Sequence, residues 1–302
     1  MIKIITESYL FNIMLHAGYV KGLTEEEVKV LKTMYSLLKY HDAISTEDIA
    51  SRAMIHIDRV EFALTRLNWK GLVVRDTTGY RLLYAGLDTL VLWELAYKDL
   101  IKGIGRLIGV GKEADVVECI DAKDNKVALK LFRLGRISFR DVRKRSYRDR
   151  YAHNWLLQSV KAAKREYRAL SLLKSNGVRV PNLIAYNKHA ILMEYIDGER
   201  LTDCIVDDAE RVLNRIIDNV KIAYCKASLV SSDLSEYNVL YDGYDVWIID
   251  WPQSISYKHR NADMLLARDI KNILNFFRKR YGLNYDPDKV IEYVKGCKSY
   301  LT

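Results

Sequence analysis

Apolar residues recur every three or four positions through the first quarter of the chain, which is the spacing of amphipathic helices. Residues 24–40 predict one such helix, with Thr24 as its N-cap and three glutamates in its first turn, where they complement the helix dipole. A short second helix is predicted after Ser45, which has an acidic residue three positions later. A third helix is predicted over residues 57–70 and ends at Gly71.

Two strand-like segments then flank residues 76–79 (DTTG), a sequence typical of a hairpin turn. Three helices followed by a hairpin is the order of a winged helix-turn-helix domain, whose third helix reads a nucleic-acid groove. The basic side chains of that helix are Arg59, Arg66 and Lys70. Because Asp58 and Glu61 on the same helix repel phosphates, docking of a protein is an open alternative for this domain.

The pattern changes after the hairpin. An apolar stretch over residues 85–104 predicts a linker helix, and three strand-like segments with a glycine-containing first turn follow from Arg106. A basic loop is expected at 133–155. The elements expected beyond it are helices at 159–175, 209–226 and 263–297, and strands at 183–186, 190–194, 239–242 and 246–250. We therefore expect an α+β fold in which an N-terminal winged helix-turn-helix domain precedes a second domain.

Composition narrows the class of protein. Hydrophobic residues make up 49% and charged residues 29% of the chain, which is typical of a folded protein and excludes a disordered one. Residues 1–19 are apolar but contain Glu7 and His16, which favours a short amphipathic helix over a signal peptide, and no transmembrane segment is predicted. The four cysteines lie far apart, without metal-ligand or redox spacing, and indicate buried thiols in a reducing cytoplasm.

The net charge of +9, from 48 basic and 39 acidic residues, is concentrated in one segment. Residues 133–150 contain eight basic and two acidic residues, a net charge of +6. Phe139 and Tyr147 lie among these arginines, a combination common where single-stranded nucleic acid is bound. A solvated surface loop is the alternative. Ser138 and Ser146 in this segment are candidates for autophosphorylation, with ordinary loop serines as the other interpretation.

The first candidate motif for chemistry is the glycine-containing turn GVGKEAD, from Gly109 to Asp115. Glycines between two strands let the backbone approach phosphates closely. The turn departs from the protein-kinase pattern, because Ala114 occupies the position of a third glycine.

The second motif is VALK, which ends at Lys130. A lysine in an apolar strand is costly to bury unless it is paired, and in kinases this lysine binds both the nucleotide phosphates and an acid from the next helix. Glu166 shares the apolar face of the helix predicted at 159–175. We therefore predict that Glu166 pairs with Lys130.

The third motif has the Asp-x-x-x-x-Asn spacing of a kinase catalytic loop, in which the acid receives or orients the proton of the nucleophile and the asparagine binds a metal ion. Its residues here are Asp233 and Asn238. Asp250 stands at the end of a strand twelve residues further on, and the hairpin between them returns it toward Asn238. Two oxygen ligands near a lysine suit Mg²⁺, with phosphate oxygens as further ligands. Together the three motifs predict an ATP-binding phosphotransferase.

These segments resemble the RIO family of atypical serine/threonine protein kinases, and within it the second subfamily, which has a winged helix before the kinase lobe. The resemblance covers nearly the whole chain. It rests on GVGKEADV, VALKLFRLGRISFR, LMEYIDG, SSDLSEYNVLYDG and IIDWPQ. It implies a minimal bilobal protein-kinase-like (RIO) domain. The implied boundaries are a winged helix domain at 1–84, a linker helix at 85–104, a kinase N-lobe at 105–196 with the basic flexible loop at 133–155, and a truncated C-lobe at 197–302.

The resemblance also implies a role for each motif residue. The phosphate-binding loop is implied to comprise Gly109, Gly111, Lys112, Glu113, Ala114 and Asp115. Lys130 is implied to bind phosphate with Glu166 as its partner, and the backbone of Glu194 and Ile196 to contact adenine. Asp233 is implied to be the catalytic acid/base, and Asn238 and Asp250 to bind Mg²⁺, with Mn²⁺ as an alternative.

One position departs from the family pattern, since Ser231 replaces a histidine that usually stands two residues before the catalytic aspartate. The 52 residues after Asp250 contain no Ala-Pro-Glu motif, so we expect the peptide-substrate platform of ordinary protein kinases to be absent. The resemblance implies a function in maturation of the small ribosomal subunit, with the precursor subunit and its rRNA as partners. The winged helix and segment 133–150 are expected to contact nucleic acid or ribosomal protein. In some members the phosphoryl group is thought to pass to the metal-binding aspartate, here Asp250.

Two other functions fit parts of the chain. Small-molecule kinases of the aminoglycoside or choline type share the Asp-x-x-x-x-Asn motif and an Ile-Asp-Trp-like strand end, but they need no winged helix. A non-catalytic nucleic-acid-binding regulator needs neither Lys130 nor Asp250, and both are present. At this point the phosphoryl acceptor is open between water, Asp250 and another protein.

Overall fold

The protein was analysed as a computed structural model that describes residues 18–135 and 152–296. These residues form two compact units. The first unit extends to Ala163 and includes Ala185–Leu192, and the second comprises Lys164–Ile184 and the residues from Met193 onward. The helix predicted near the N-terminus, apart from its last residues, and the two candidate serines lie outside the described residues, as does most of the basic loop.

The first unit begins with the three helices and the hairpin that the sequence predicts. The helices are α1 (Glu25–Leu37), α2 (Thr46–Ala53) and α3 (Ile57–Trp69), and the antiparallel strands are β1 (Val73–Asp76) and β2 (Gly79–Leu82). Helix α1 starts with a complete capping box, in which Thr24 and Glu27 each accept a hydrogen bond from the other's amide. At Gly79, where φ is +150°, an added Cβ would lie 2.2 Å from the Ile44 carbonyl oxygen, so only glycine fits.

Helix α4 (Tyr84–Tyr97) follows the hairpin directly and is shorter than the linker helix predicted over 85–104. Its apolar surface faces two cores. Leu87 and Leu90 pack in the winged-helix core, whereas Val91 and Leu95 pack against the sheet that follows. This division explains why α4 is apolar all round and has no polar face. The helix is therefore a buried element of the first unit and not an exposed linker.

A five-stranded sheet follows, with strand order β3-β4-β5-β7-β6. The strands are β3 (Gly103–Val110), β4 (Ala114–Ile120), β5 (Lys126–Phe132), β6 (Leu183–Asn187) and β7 (Ala190–Glu194). The first three form an antiparallel meander, and β5 is buried along almost its whole length. Strand β3 starts at Gly103, where the sequence predicted the end of a helix.

Helix α5 (Ala152–Ser175) starts seven residues before its predicted beginning at 159, so residues 152–155, assigned to the basic loop, are helical. The remaining elements of the second unit are β8 (Glu199–Arg200), α6 (Ala209–Cys225), β9 (Leu229–Val230), β10 (Val239–Tyr241), β11 (Val246–Ile248), β12 (Ile255–Ser256), α7 (Ala262–Tyr281) and α8 (Pro287–Val294). The helical region predicted over 263–297 consists of two helices, because α7 ends at Gly282 in a left-handed conformation and Pro287 begins α8.

The helices of the second unit surround a core that includes Leu213, Ile217, Trp251, Ile270 and Phe277. Within the described ranges, no helix has the length and apolar character needed to cross a membrane.

Candidate active site

The second unit holds the catalytic-loop motif between β9 and β10. Strand β9 pairs with β12 before the loop, and the β10–β11 hairpin returns the chain to Asp250 after it. The Asn238 side-chain amide donates to the Asp233 carbonyl oxygen at 2.8 Å. Partial burial, and next the negative charge of Asp250, raise the pKa of Asp233. The structure therefore brings Asp233, Asn238 and Asp250 together, as the motif predicts.

Two residues at the ends of this site have a left-handed backbone conformation. Ser232, just before Asp233, has a φ of 65°, and Asp250 has a φ of 70°. Residues other than glycine adopt this left-handed conformation at a cost of about 1–3 kcal/mol and keep it where the surroundings enforce it. The Trp251 amide donates to the Glu166 carboxylate at 3.2 Å, so Glu166 fixes the chain directly after Asp250.

Helix α7 supplies groups that the sequence analysis did not identify. The Arg268 guanidinium donates to the Ser232 carbonyl, and the Asn272 side-chain amide donates to the Leu234 carbonyl at 3.3 Å. These two carbonyls flank Asp233 on either side. Helix α7 thus holds the backbone around Asp233. Ser231, which stands where the resemblance implies a histidine, is buried at the start of this loop.

Asp269, next to Arg268, is 1% exposed. Burial raises its pKa to about 6, opposed first by Arg268 and then by the backbone amides of Ser232 and Leu234. One signal in the sequence marks this residue, because Asp269 is an acid at an otherwise apolar position between Leu266 and Ile273 on an amphipathic helix. Such a residue needs a structural or functional reason to be buried.

Lys130 and Glu166 lie in different units. Lys130 is on β5, 7% exposed, with Nζ 5.2 Å from the centre of the Phe132 ring. Glu166 is on α5, 1% exposed, and bonds the Trp251 amide within the second unit. Both are buried as the sequence implies, and their pairing stays a prediction.

The glycine turn joins β3 and β4 in the first unit. Gly109 pairs with Val116 across the two strands, and the Gly111 amide donates to the Ala114 carbonyl at 2.8 Å. Lys112 and Glu113 are exposed at the tip of the turn. The turn can therefore offer backbone amides and the Lys112 side chain to a phosphate.

Asp115 is placed differently from the rest of the predicted phosphate loop. It is 1% exposed, and its Oδ2 accepts from Arg133 Nε at 3.2 Å. Arg133 also donates to both carboxylate oxygens of Asp88 on α4, and its backbone amide donates to the Glu113 carbonyl. Burial opposes the charge of Arg133, but the two carboxylates outweigh it and raise its pKa. Asp115 therefore anchors the start of β4.

His189, in the turn between β6 and β7, completes this buried cluster. Its Nε2 lies 2.8 Å from Asp88 Oδ1, and burial lowers its pKa, so the ring is neutral and donates to the carboxylate. None of these four charged or polar residues is more than 8% exposed.

Glu194 ends strand β7, and its carboxylate accepts from the Asn182 side-chain amide at 2.6 Å. Its own amide donates to the Asn182 carbonyl at 2.8 Å. A contact between Glu194 and adenine therefore has to use the Glu194 carbonyl. Ile196, two residues later, is partly exposed.

The side chains of Asn238 and Asp250 fit a divalent cation such as Mg²⁺ or Mn²⁺, because both offer oxygen ligands next to a second carboxylate. With two protein ligands, a cation held there would take its remaining ligands from phosphate oxygens and water. A cation held there would neutralise charge on the phosphates. Fold and site together thus define a protein-kinase-like phosphotransferase.

Comparison with protein-family models identifies the kinase family, and the branch of it, to which the chain belongs. A RIO domain model matches residues 115–290, and a Rio2 N-terminal domain model matches residues 20–98. The chain belongs to the RIO family of serine/threonine kinases and carries the N-terminal domain of the Rio2 branch. The family and the fold class predicted from the motifs are confirmed.

Individual relatives agree over most of the chain. The RIO-type serine/threonine-protein kinase Rio2 of Methanocaldococcus jannaschii is 34% identical over 270 residues, which cover 85% of this chain and 99% of that protein. The serine/threonine-protein kinase rio2 of Schizosaccharomyces pombe is 32% identical over 87% of this chain and 79% of its own length. A crystal structure of the Rio2 kinase–ADP/Mg²⁺–phosphoaspartate complex from Chaetomium thermophilum superimposes with a TM-score of 0.82, at 32% identity, over 92% of this chain and 87% of that one.

Proposed function

We propose that this protein is a Mg²⁺-dependent RIO kinase and ATPase that passes the γ-phosphoryl group of ATP to Asp250 and acts in maturation of the small ribosomal subunit. The observation that carries the proposal is the relationship between Asp233 and Asp250. The two carboxylates are close enough to raise the pKa of Asp233, and Asp250 is held in a left-handed conformation. The phosphoaspartate in the Rio2 kinase of Chaetomium thermophilum supports an aspartate as the acceptor.

In the first proposed step an Asp250 carboxylate oxygen attacks the γ-phosphorus. An oxygen–phosphorus bond forms to Asp250, the bond from the γ-phosphorus to the β–γ bridging oxygen breaks, and ADP leaves with that electron pair. No proton has to move, because the nucleophile is an ionised carboxylate. The glycine turn and Lys130 are proposed to hold the phosphates during this transfer.

In the second proposed step water attacks the phosphorus of the acyl phosphate. Asp233 takes the proton from this water, the bond between Asp250 and phosphorus breaks, and inorganic phosphate and the Asp250 carboxylate are produced. A carboxylate with a raised pKa is a better proton acceptor than an ordinary aspartate, which suits Asp233 for this role.

The experiment is to incubate the full chain with Mg²⁺ and γ-labelled ATP and to follow released and protein-bound phosphate. Label that hydroxylamine removes and that Asp250→Asn lacks is the expected result. Asp233→Asn should retain the label longer, since hydrolysis loses its proton acceptor. Asp207→Asn, an exposed aspartate elsewhere in the unit, is the matched control and should behave as wild type. Hydroxylamine-stable label on serine would replace this proposal with protein autophosphorylation.

The partners we propose are the precursor of the small ribosomal subunit and its rRNA, in the cytoplasm. Support comes from the net charge of +6 in segment 133–150. Free thiols at Cys119, Cys204 and Cys225 agree with a reducing compartment.

Sedimentation with purified precursor subunits at rising salt tests this partner. Neutralising Arg143, Lys144 and Arg145 to Gln should weaken binding and flatten the slope of log affinity against log salt, by about 0.7–0.9 for each phosphate that is no longer neutralised. The control replaces three exposed lysines elsewhere, namely Lys29, Lys123 and Lys289. Equal effects of the two triple variants would argue against a specific role for the basic segment.

A further inference from the structure

The outward side of helix α3 is aromatic. Phe62 and Trp69 are 64% and 85% exposed, and with Asp58 and Thr65 they form one stripe at helical spacing, opposite the buried Val60, Ala63, Leu64 and Leu67. We call Asp58, Glu61, Phe62, Thr65 and Trp69 the α3 outer face. Two large aromatic side chains so exposed on one stripe of a helix mark an interaction surface.

The cations of α3 pair with carboxylates on helix α1, and the side chains of Arg59 and Arg66 stay 67% and 41% exposed. The Arg66 guanidinium also lies 5.9 Å from the centre of the Phe62 ring. Glu27 on α1 is 1% exposed, and its Oε1 accepts from Arg66 Nε at 3.0 Å and from Lys70 Nζ at 2.8 Å. Arg59 forms an ion pair with Glu26, also on α1. A buried carboxylate is strongly destabilised if its partners leave, so Arg66 and Lys70 are held to Glu27.

The charge left on the α3 outer face is acidic. The three cations of α3 pair with Glu26 and Glu27, and Asp58 and Glu61 are exposed, so this set holds three positive and four negative charges. The His56 Nδ1 atom lies 3.4 Å from the Asp58 carboxylate. A helix that enters a nucleic-acid groove needs cations available to phosphates. An acidic, aromatic face instead complements a polypeptide with apolar side chains bordered by lysine or arginine.

We propose that the α3 outer face docks a basic, apolar polypeptide segment of a protein partner. Phe62 and Trp69 bury the apolar side chains of that segment, and Asp58 and Glu61 contact its flanking cations. This docking function is independent of phosphoryl transfer. It makes the winged helix a protein-binding surface, in contrast to segment 133–150, for which we propose rRNA binding.

The test starts with a selection of displayed random 12-residue peptides on the full-length protein, with counter-selection on the double variant Phe62→Ser/Trp69→Ser. Peptides that depend on the wild-type face are expected to combine apolar residues with a positive net charge. Trp69→Ser should then lower the affinity of a selected peptide about 10- to 30-fold. ATP turnover and thermal unfolding should not change in these variants, because the residues lie on the surface of the winged helix.

Charge reversal on the α3 outer face distinguishes a bound peptide from a bound nucleic acid. Asp58→Lys/Glu61→Lys should weaken the selected basic peptides about tenfold, whereas it would strengthen binding of a 20-base-pair RNA or DNA duplex if this face bound phosphates. A duplex that competes with the peptide and loses affinity in Phe62→Ser/Trp69→Ser would overturn the proposal in favour of nucleic acid. Absence of any peptide that depends on the wild-type face would also overturn it.

Protein labelled with 5-fluorotryptophan tests whether the face is available. The Trp69 resonance is assigned by its loss in Trp69→Phe, and its shift between H₂O and D₂O reports solvent contact. We expect a full solvent shift in the free protein and its loss on addition of a selected peptide. A resonance already shielded in the free protein, or dimerisation in light scattering that Trp69→Ser abolishes, would overturn the proposal by assigning the face to this chain itself.

Discussion

Arg133 binds Asp88 through two parallel hydrogen bonds, from Nη1 at 2.7 Å and from Nη2 at 2.8 Å. The pair joins the end of β5 to helix α4, and through Asp115 and the Glu113 carbonyl it also holds the start of β4 next to the glycine turn. A fork of this geometry is the strong form of an ion pair, and its burial prevents water from replacing it. Within the first unit, the glycine turn is therefore anchored to helix α4.

Asp88→Asn should destabilise the protein by about 3–5 kcal/mol, because it leaves the buried Arg133 with only one of its two carboxylates. The midpoint of urea unfolding measures this loss. The control is Asp124→Asn, which breaks an exposed pair with Lys102 and should cost less than about 1 kcal/mol. Similar losses in the two variants would mean that the buried fork contributes no more than a surface pair.

The pKa of Asp233 should fall in Asp250→Asn, because one of the causes that raise it is the charge of Asp250. It should stay above the usual aspartate value, since burial is the larger cause and is unchanged. Carbon-13 NMR of the labelled carboxyl groups follows this titration without requiring activity. A pKa that is the same in both proteins would contradict the proposed repulsion between the two carboxylates.

Arg268→Met should raise the pKa of Asp233 further, because it removes the cation that favours the ionised carboxylate. Proton transfer to Asp233 requires its ionised form, so activity falls as the pH drops through this pKa. The acidic limb of the kcat profile should therefore move to higher pH, with a greater loss at pH 6 than at pH 8.

Two variants control for a purely structural effect of Arg268. Arg268→Lys keeps the charge and should restore most of the profile. Arg278→Met, on the same helix, removes a guanidinium that bonds Asn275 on the surface, and it should leave the profile unchanged. A uniform loss at all pH values in Arg268→Met would indicate lost packing alone.

Relative to wild type, Asp269→Asn should be more stable at neutral pH than at acid pH. The folded-state pKa of about 6 lies above the ordinary aspartate value of 3.8, so the folded protein holds this proton more tightly than the unfolded chain. The resulting stability is complete below about pH 4 and is lost as the pH rises through 6. Asparagine does not titrate, so the variant should gain on the order of 2 kcal/mol over wild type between pH 4.5 and 7.5.

Urea unfolding at the two pH values measures this difference. Asp263→Asn, an exposed position on the same helix, should show no such change with pH. A constant difference between Asp269→Asn and wild type would mean that Asp269 is already ionised in acid.

Local patterns were sufficient for the elements and their order. The capping box at Thr24, the hairpin at residues 76–79 and the Asp233–Asn238 spacing depend on residues within a few positions of each other, and the structure has each of them. The predicted ends of two helices were wrong. Helix α4 ends earlier than predicted, at Tyr97, and α5 begins earlier, at Ala152. The apolar residues of α4 divide between two cores, and no local pattern predicts that division.

The sequence by itself determined the family, and its motifs predicted the residues for phosphoryl transfer, because each motif is a short run that can be recognised without knowledge of the fold. Only the tertiary structure decided how those residues are supported. Glu166 meets the Trp251 amide 85 positions away, Asp88 meets Arg133 45 positions away, and Glu27 meets Arg66 39 positions away. Helical and strand periodicities tell which face of an element is buried, but they do not tell which distant element covers it. For this reason the sequence left the cations of α3 as candidates for contact with nucleic acid, whereas in the structure they pair with Glu26 and Glu27 on α1.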